Sequence, residues 1–157
     1  MLTPEFLMRR AIDKAREGIA IGQSPFGCAI ARGDELIAVS HNTVVATTDV
    51  TAHAEVNALR LGCKTTGKIH LEGCVVATTC EPCPMCMAAL HWARVETVYF
   101  GASIADADSA GFNELQVPAA DVLKIGGSQV ALVGGLLSAE CRELFEGWLQ
   151  RSDRVVY

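Results

Sequence analysis

An α/β fold, with helices on both faces of a sheet whose central portion is largely parallel, is predicted by three observations in this sequence. From residue 52 onward, short β-prone runs alternate with helical periodicities in a β-α-β-α-β order, the alternation that parallel strands need. A single hairpin pattern precedes that alternation, and an amphipathic helix stands towards each end of the chain. The 157 residues, half of them apolar, read as one domain over 1–157 with a sizeable core and little room for disorder.

Each element has its local reason. Thr3 is placed to cap a first helix with Pro4 at its first position, and Leu7, Met8, Ala11, Ile12, Ala15 and Ile19 give that helix an apolar face to about Gly18. Residues 26–31 and 36–40 are apolar runs flanking Arg32-Gly33-Asp34-Glu35, a hairpin. Thr51 reads as the N-cap of a helix over 52–61, followed by a polar connection from Lys64 to Lys68 and a strand at 74–79. Pro84 suits the first position of a helix reaching about Arg94, and a strand at 97–100 completes the alternation. From Gly101 to Gly127 the periodicity fades, with Asp106, Asp108, Ser109, Gly111 and Pro118 breaking any long element, so a long functional loop is expected. Residues 128–133 read as a fifth strand, and Ser138 as the cap of a last helix with Leu144, Phe145, Trp148 and Leu149 on its apolar face.

The chemistry gathers in His53-Ala54-Glu55 and, thirty positions on, Pro82-Cys83-Pro84-Met85-Cys86. His53, Cys83 and Cys86 supply three ligands for a zinc ion with an open fourth position, where a water is acidified to a pKa of about 7. Glu55 then remains free as a general acid and base, and on a regular helix it does not share a face with His53. Cys83 and Cys86 fall at a helix start, where free N–H groups favour thiolates. The run Cys80-x-x-Cys83-x-x-Cys86 also fits a structural Cys3His zinc site or an iron–sulfur fragment. Leu90, however, stands where a ferredoxin run carries its fourth cysteine, and a closed site leaves Glu55 without a role. A thioredoxin-like pair at Cys83 and Cys86 predicts no His-x-Glu partner. Cys80 and the remaining cysteines, Cys28, Cys63, Cys74 and Cys141, read as buried small hydrophobes.

Charge and hydropathy narrow the partners. Net charge is −5 and no block of Lys or Arg stands out, which argues against a nucleic-acid backbone as the main substrate. The first residues show no charged-then-apolar leader, and the longest apolar run, near 130–137, is broken by glycines and too short to span a bilayer, so a cytoplasmic protein without a membrane segment is expected.

H-x-E followed by P-C-x-x-C is the signature of the zinc-dependent nucleobase deaminases, which this chain resembles over nearly its whole length. Pro25-Phe26-Gly27, Asn42, Thr51-Ala52-His53-Ala54-Glu55, Cys80 to Cys86, Trp92-Ala93-Arg94 and Ala110-Gly111-Phe112 are similar to the bacterial guanine deaminase branch. The resemblance implies a three-layer α/β/α sandwich with a five-stranded mixed sheet, the cytidine-deaminase-like fold. It implies one Zn2+ per chain and hydrolytic deamination of a free nucleobase, with guanine going to xanthine and ammonia. The alternatives are a tRNA adenosine deaminase and a deaminase of another amino-heterocycle: cytosine, isocytosine, an amino-triazine or a nucleoside. A homodimer is also implied, in which a tail over about 151–157 crosses to the partner so that Tyr157 closes the neighbouring site.

Substrate contacts lie outside the ligand set. Asn42 offers an amide to one edge of a heterocycle, or caps a turn. Phe26 and Trp92 offer stacking surfaces, although core packing is favoured for Trp92; Phe112, beside Gly111, reads as a lid. Glu114 can accept from the adjacent N1–H and N2–H2 donors of guanine, whereas adenine presents an acceptor at N1. The backbone amides of Ala54 and Cys83 are candidate contacts to the base and to the developing oxyanion.

Overall fold

The computed structural model of the chain describes residues 2–157. In order, the elements are α1 (Pro4–Ala20), β1 (Gly27–Arg32), β2 (Glu35–His41), α2 (Val44–Thr47), α3 (Ala54–Thr66), β3 (Val75–Cys80), α4 (Pro84–Trp92), β4 (Thr97–Ala102), α5 (Ile104–Ser109), α6 (Ala119–Gly126), β5 (Ala131–Val133) and α7 (Ser138–Leu149). The strands form one five-stranded sheet in the order β2-β1-β3-β4-β5. β1 runs antiparallel to both β2 and β3, while β3, β4 and β5 are parallel, so the sheet is mixed and the alternating half supplies its parallel part.

Strand alternation divides the core into two layers. Cys28, Ile30, Val76 and Val98 face one side and pack with Ala58 and Leu59 of α3, Met87 and Leu90 of α4, and Leu123 of α6. Ala29, Ala31 and Ala77 face the other, against Leu7, Met8, Ala11 and Ile12 of α1 and Leu144, Phe145 and Trp148 of α7. The alanines let α1 lie close to the sheet, and the approach is tightest at Gly27. A Cβ there would stand 2.0 Å from the Ala11 carbonyl oxygen and 2.9 Å from the Ala15 nitrogen. Gly27→Ala is therefore expected to cost about 3 kcal/mol through overpacking, lowering Tm by roughly 6–12 °C. Calorimetry checks this, and an unchanged Tm would mean that α1 yields freely.

Several boundaries differ from those expected. α3 starts at Ala54 with His53 as its N-cap, because the Thr51 hydroxyl and backbone N–H are both taken by the Asp49 carboxylate. The helix runs on through Lys64 to Thr66 and stops at Gly67, which adopts the left-handed conformation of a helix stop. The strand expected at 74–79 is Val75–Cys80, α4 ends at Trp92 rather than near Arg94, and β5 is only three residues long. Ser138 is the first residue of α7 and not its cap; Leu137 precedes it at φ 51°. The stretch 101–127 contains two helices. Asp106, read as a breaker, is the third residue of α5 and closes a reciprocal capping box with Ser103.

Candidate active site

The two motif segments meet because each ends at a helix start. His53 caps α3 and Cys83 caps α4; both have extended backbones and neither side chain is engaged in capping. Cys86 is the third residue of α4, and N-cap and N3 side chains lie together at a helix start just as they do in a capping box. Spacing alone thus brings the two sulfurs together, and the sheet sets His53 against them. His53 Nδ1 is 3.7 Å from Cys83 Sγ and 3.4 Å from Cys86 Sγ. All three ligand atoms lie within 4.8 Å of one another. A tetrahedral zinc ion with ordinary Zn–S and Zn–N bonds needs an N···S edge of about 3.6 Å, so the donor set and its spacing fit the metal.

The thiols are already polarised towards that role. Cys83, accepting from Cys86 Sγ and drawn on by His53 and the Cys86 backbone N–H, is pulled down to about 4. Cys86, as the donor and as a buried group, is pushed well above the ordinary thiol value. A divalent cation bound here would take the place of the proton that the two sulfurs otherwise compete for.

Glu55, in the first turn of α3, is only 6% exposed. Its Oε1 accepts from the Thr78 hydroxyl at 2.9 Å. Burial pushes its carboxyl above the ordinary range, with the His53 charge opposing. The group is poised to hold a proton beside the ligand cluster.

His53, Cys83 and Glu55 open onto one cavity of about 280 Å³, which Phe26, Asn42, Phe112, Glu114 and Tyr157 also line, while Cys86 is buried. Asn42 takes the turn-capping role and lines the cavity as well. Its Oδ1 accepts from the Val44 N–H at 3.0 Å, the turn-capping role, while its Nδ2 donates to the Tyr157 hydroxyl at 2.6 Å. One amide N–H remains for a ligand. Phe112 is a fixed wall and not a lid: it is 4% exposed, stacks on Trp148 at 4.8 Å and meets Phe26 edge-on at 5.0 Å. Glu114 is half-buried, and burial, followed by the Cys83 charge, raises its carboxyl to about 7.

Tyr157 sits in the cavity of its own chain, its ring 6.3 Å from that of His53 and its carbonyl accepting from the Asn113 N–H at 3.1 Å. Trp92 is not brought to the site. It is 78% exposed at the end of α4, so it neither lines the cavity nor packs in the core as expected. Ala54 is buried as the first residue of α3, and its side chain is not part of the cavity wall. Cys80, buried at the end of β3, also faces the cavity. Sequence reasoning assigned nothing to Thr78, although a hydroxyl at an inward strand position two residues before Cys80 was a usable signal. It also assigned nothing to Glu81, Val50, Met85 and Leu115, which line the cavity from three separate segments.

Similarity to known proteins agrees with this geometry. Residues 1–102 match the cytidine and deoxycytidylate deaminase zinc-binding region. The guanine deaminase of Bacillus subtilis is 43% identical over 111 residues, 70% of this chain and 71% of that protein. The tRNA-specific adenosine deaminase of the same organism is 36% identical over 143 residues, 90% of this chain and 85% of that one. Among solved structures, a guanine deaminase from Nitrosomonas europaea superposes with a TM-score of 0.86 at 28% identity, covering 94% of this chain and 85% of its own. With that match spanning both motif segments and the fold around them, the chain belongs to the zinc-dependent cytidine and deoxycytidylate deaminase family.

Proposed function

We propose that the chain deaminates guanine, with guanine and water giving xanthine and ammonia. The observation that carries this reading is a single cavity lined by His53 and Cys83 of the ligand cluster together with Glu55, Glu114 and Asn42, with the buried Cys86 completing the cluster 3.4 Å from His53 Nδ1. The guanine deaminase relatives support it. Zinc, held by those three ligands, supplies a Lewis acid and acidifies a water at neutral pH. Glu55 Oε takes the proton of the water that attacks C2 and passes it to a ring nitrogen; it then takes the proton of the new C2 hydroxyl and delivers it to the amine as the C2–N2 bond breaks and the C2 carbonyl forms. Glu114 accepts from N1–H and N2–H2, the spare Asn42 N–H reaches an acceptor on the base, and Phe26 and Phe112 exclude water from its faces. The Ala54 and Cys83 backbone amides, at the two helix starts, face the developing oxygen charge.

Zinc-replete protein mixed with guanine tests this through loss of guanine absorbance and release of ammonia, with cytosine, adenine, guanosine and isocytosine in parallel. Conversion of guanine alone supports the whole reading. Preference for another amino-heterocycle keeps the chemistry and overturns the pocket assignment. The second reading, a tRNA adenosine deaminase, rests on the 36% identical relative. Titration with tRNA at two salt concentrations exposes it through a phosphate-contact slope, which a chain of net charge −5 is not expected to show.

The aromatic tail completes the pocket. Deleting Tyr157 removes the hydroxyl that Asn42 contacts and is expected to raise KM for guanine roughly tenfold with Tm little changed. Unchanged kinetics would take the tail out of the site. A homodimer fits the exposure of Met85, Ala88 and Trp92 along α4, with Val50 and Leu115 also exposed where they line the cavity beside Met85. Exchange of tails between subunits would place each Tyr157 in the partner's cavity. Sedimentation equilibrium checks the dimer, and a monomer at all concentrations removes it.

A further inference from the structure

Glu81 lies between the last residue of β3 and the ligand turn, and its carboxylate is committed far from its own segment. Oε2 accepts from the Ile104 N–H at 3.2 Å, and Oε1 accepts from the Ala119 N–H at 2.9 Å. These are the first residues of α5 and α6. The first N–H groups of a helix have no partner within it, and each helix start carries partial positive charge, so one anion satisfies both starts. For α6 an outside acceptor is needed, because its N-cap is Pro118, with no side chain able to cap. The Glu81 backbone N–H in turn donates to the Ala102 carbonyl at 2.8 Å, fixing the residue to the end of β4.

What lies between the two clamped helices matters. Residues 110–118 carry Phe112, Asn113, Glu114 and Leu115, all on the cavity wall. The backbone N–H bonds along this stretch are local or reach the tail: Ala110 N–H to Asp106 and Ala107, Gly111 N–H to Asp108, Phe112 N–H to Ala107, Glu114 N–H to Phe112, Val117 N–H to Leu115, and Asn113 N–H to Tyr157. Glu81 therefore joins the start of the helix that leads into the base-reading segment, and the start of the helix that follows it, to the turn that carries Cys83, two residues away.

Resting on the guanine reading above, we infer that Glu81 is a positioning residue that holds Glu114 in register with the zinc ligands and so sets base affinity and discrimination. In this role its carboxylate acts through the Ile104 and Ala119 N–H groups. It sets the distance between the group that reads the base and the groups that attack it, and misplacement by about 1 Å is enough to lose a large part of the rate.

The test is Glu81→Gln in the zinc-loaded protein. The amide keeps one acceptor but turns an NH2 towards one of the two N–H donors, releasing one end of the segment. Guanine kcat/KM is expected to fall about tenfold or more, carried by KM, with the preference for guanine over 2-aminopurine reduced and zinc still one per chain. Amide hydrogen exchange at Ile104 or Ala119 is expected to quicken. A merely structural cap would leave KM and base preference unmoved below the melting temperature, and that result, with unchanged exchange, overturns the inference. Should the variant lose zinc, the wild-type Ala119 amide decides: slow exchange at this first helical position supports the clamp and fast exchange overturns it. Failure of the wild type to turn over guanine is a separate result; it removes the reading of the reaction, and the exchange rates then decide the clamp alone.

Discussion

Glu55→Gln is expected to keep one zinc per chain and the fold, and to lower kcat for guanine by roughly 10²–10⁴-fold. The amide has the size of the carboxyl, and its oxygen can still accept from the Thr78 hydroxyl. Burial already disfavours the charged carboxylate, so a neutral group there costs the fold little. What the amide lacks is a titrating proton. Attack by water leaves a proton to be moved from the oxygen to the leaving amine, and Glu55 is the buried carboxyl beside the ligand cluster. Metal analysis and steady-state kinetics on the same sample check the prediction. Turnover within a few fold of wild type, at full zinc, would take Glu55 out of the mechanism.

The ligand set and Glu55 were legible because their geometry is local. An N-cap and an N3 residue converge by helix geometry alone, so Cys83-x-x-Cys86 following a strand specifies two adjacent sulfurs wherever the fold puts them. His53 and Glu55 differ in direction for a reason that the sequence only half disclosed. Both are expected in the first turn or two of one helix; in fact His53 precedes the helix as its cap and Glu55 lies inside it. The Thr51 cap was misplaced because Asp49, two residues earlier, competes for the Thr51 hydroxyl and N–H, a local alternative open to Asp and Thr side chains.

The cavity wall was less legible because it is assembled from distant segments. Phe26, Asn42, Phe112, Glu114 and Tyr157 share no spacing, and only the sheet order and the packing of Phe112 on Trp148 bring them together. Gly111 beside Phe112 suggests a hinge in the sequence, whereas the ring is packed on two sides, against Phe26 and Trp148. Trp92 was assigned to the core because α4 is apolar almost all the way round, from Met85 through Leu90, and such a helix shows no face in its sequence. α5 was hidden by its own capping box, since Ser103 and Asp106 are equally the residues of a turn.

The second large effect is at Glu114. A carboxylate accepts from both N1–H and N2–H2 of guanine, whereas the amide of Glu114→Gln offers one acceptor and opposes the other donor with an N–H of its own. Losing a charge-assisted hydrogen bond and leaving a buried donor unpaired costs about 3 kcal/mol, which is roughly two orders of magnitude in kcat/KM. The loss falls on guanine far more than on 2-aminopurine, which has an acceptor at N1, so the ratio between the two bases is the sharper readout. Burial, and then the Cys83 charge, hold the Glu114 carboxyl at about 7. The form that reads guanine is the carboxylate, so in the wild type KM for guanine rises as pH falls through that value and is flat above it. Zinc neutralises part of the Cys83 charge and moves this limb to lower pH. In Glu114→Gln the limb disappears. A variant that keeps the wild-type pH profile and its preference for guanine would show that the carboxylate points at solvent and that another group reads the base.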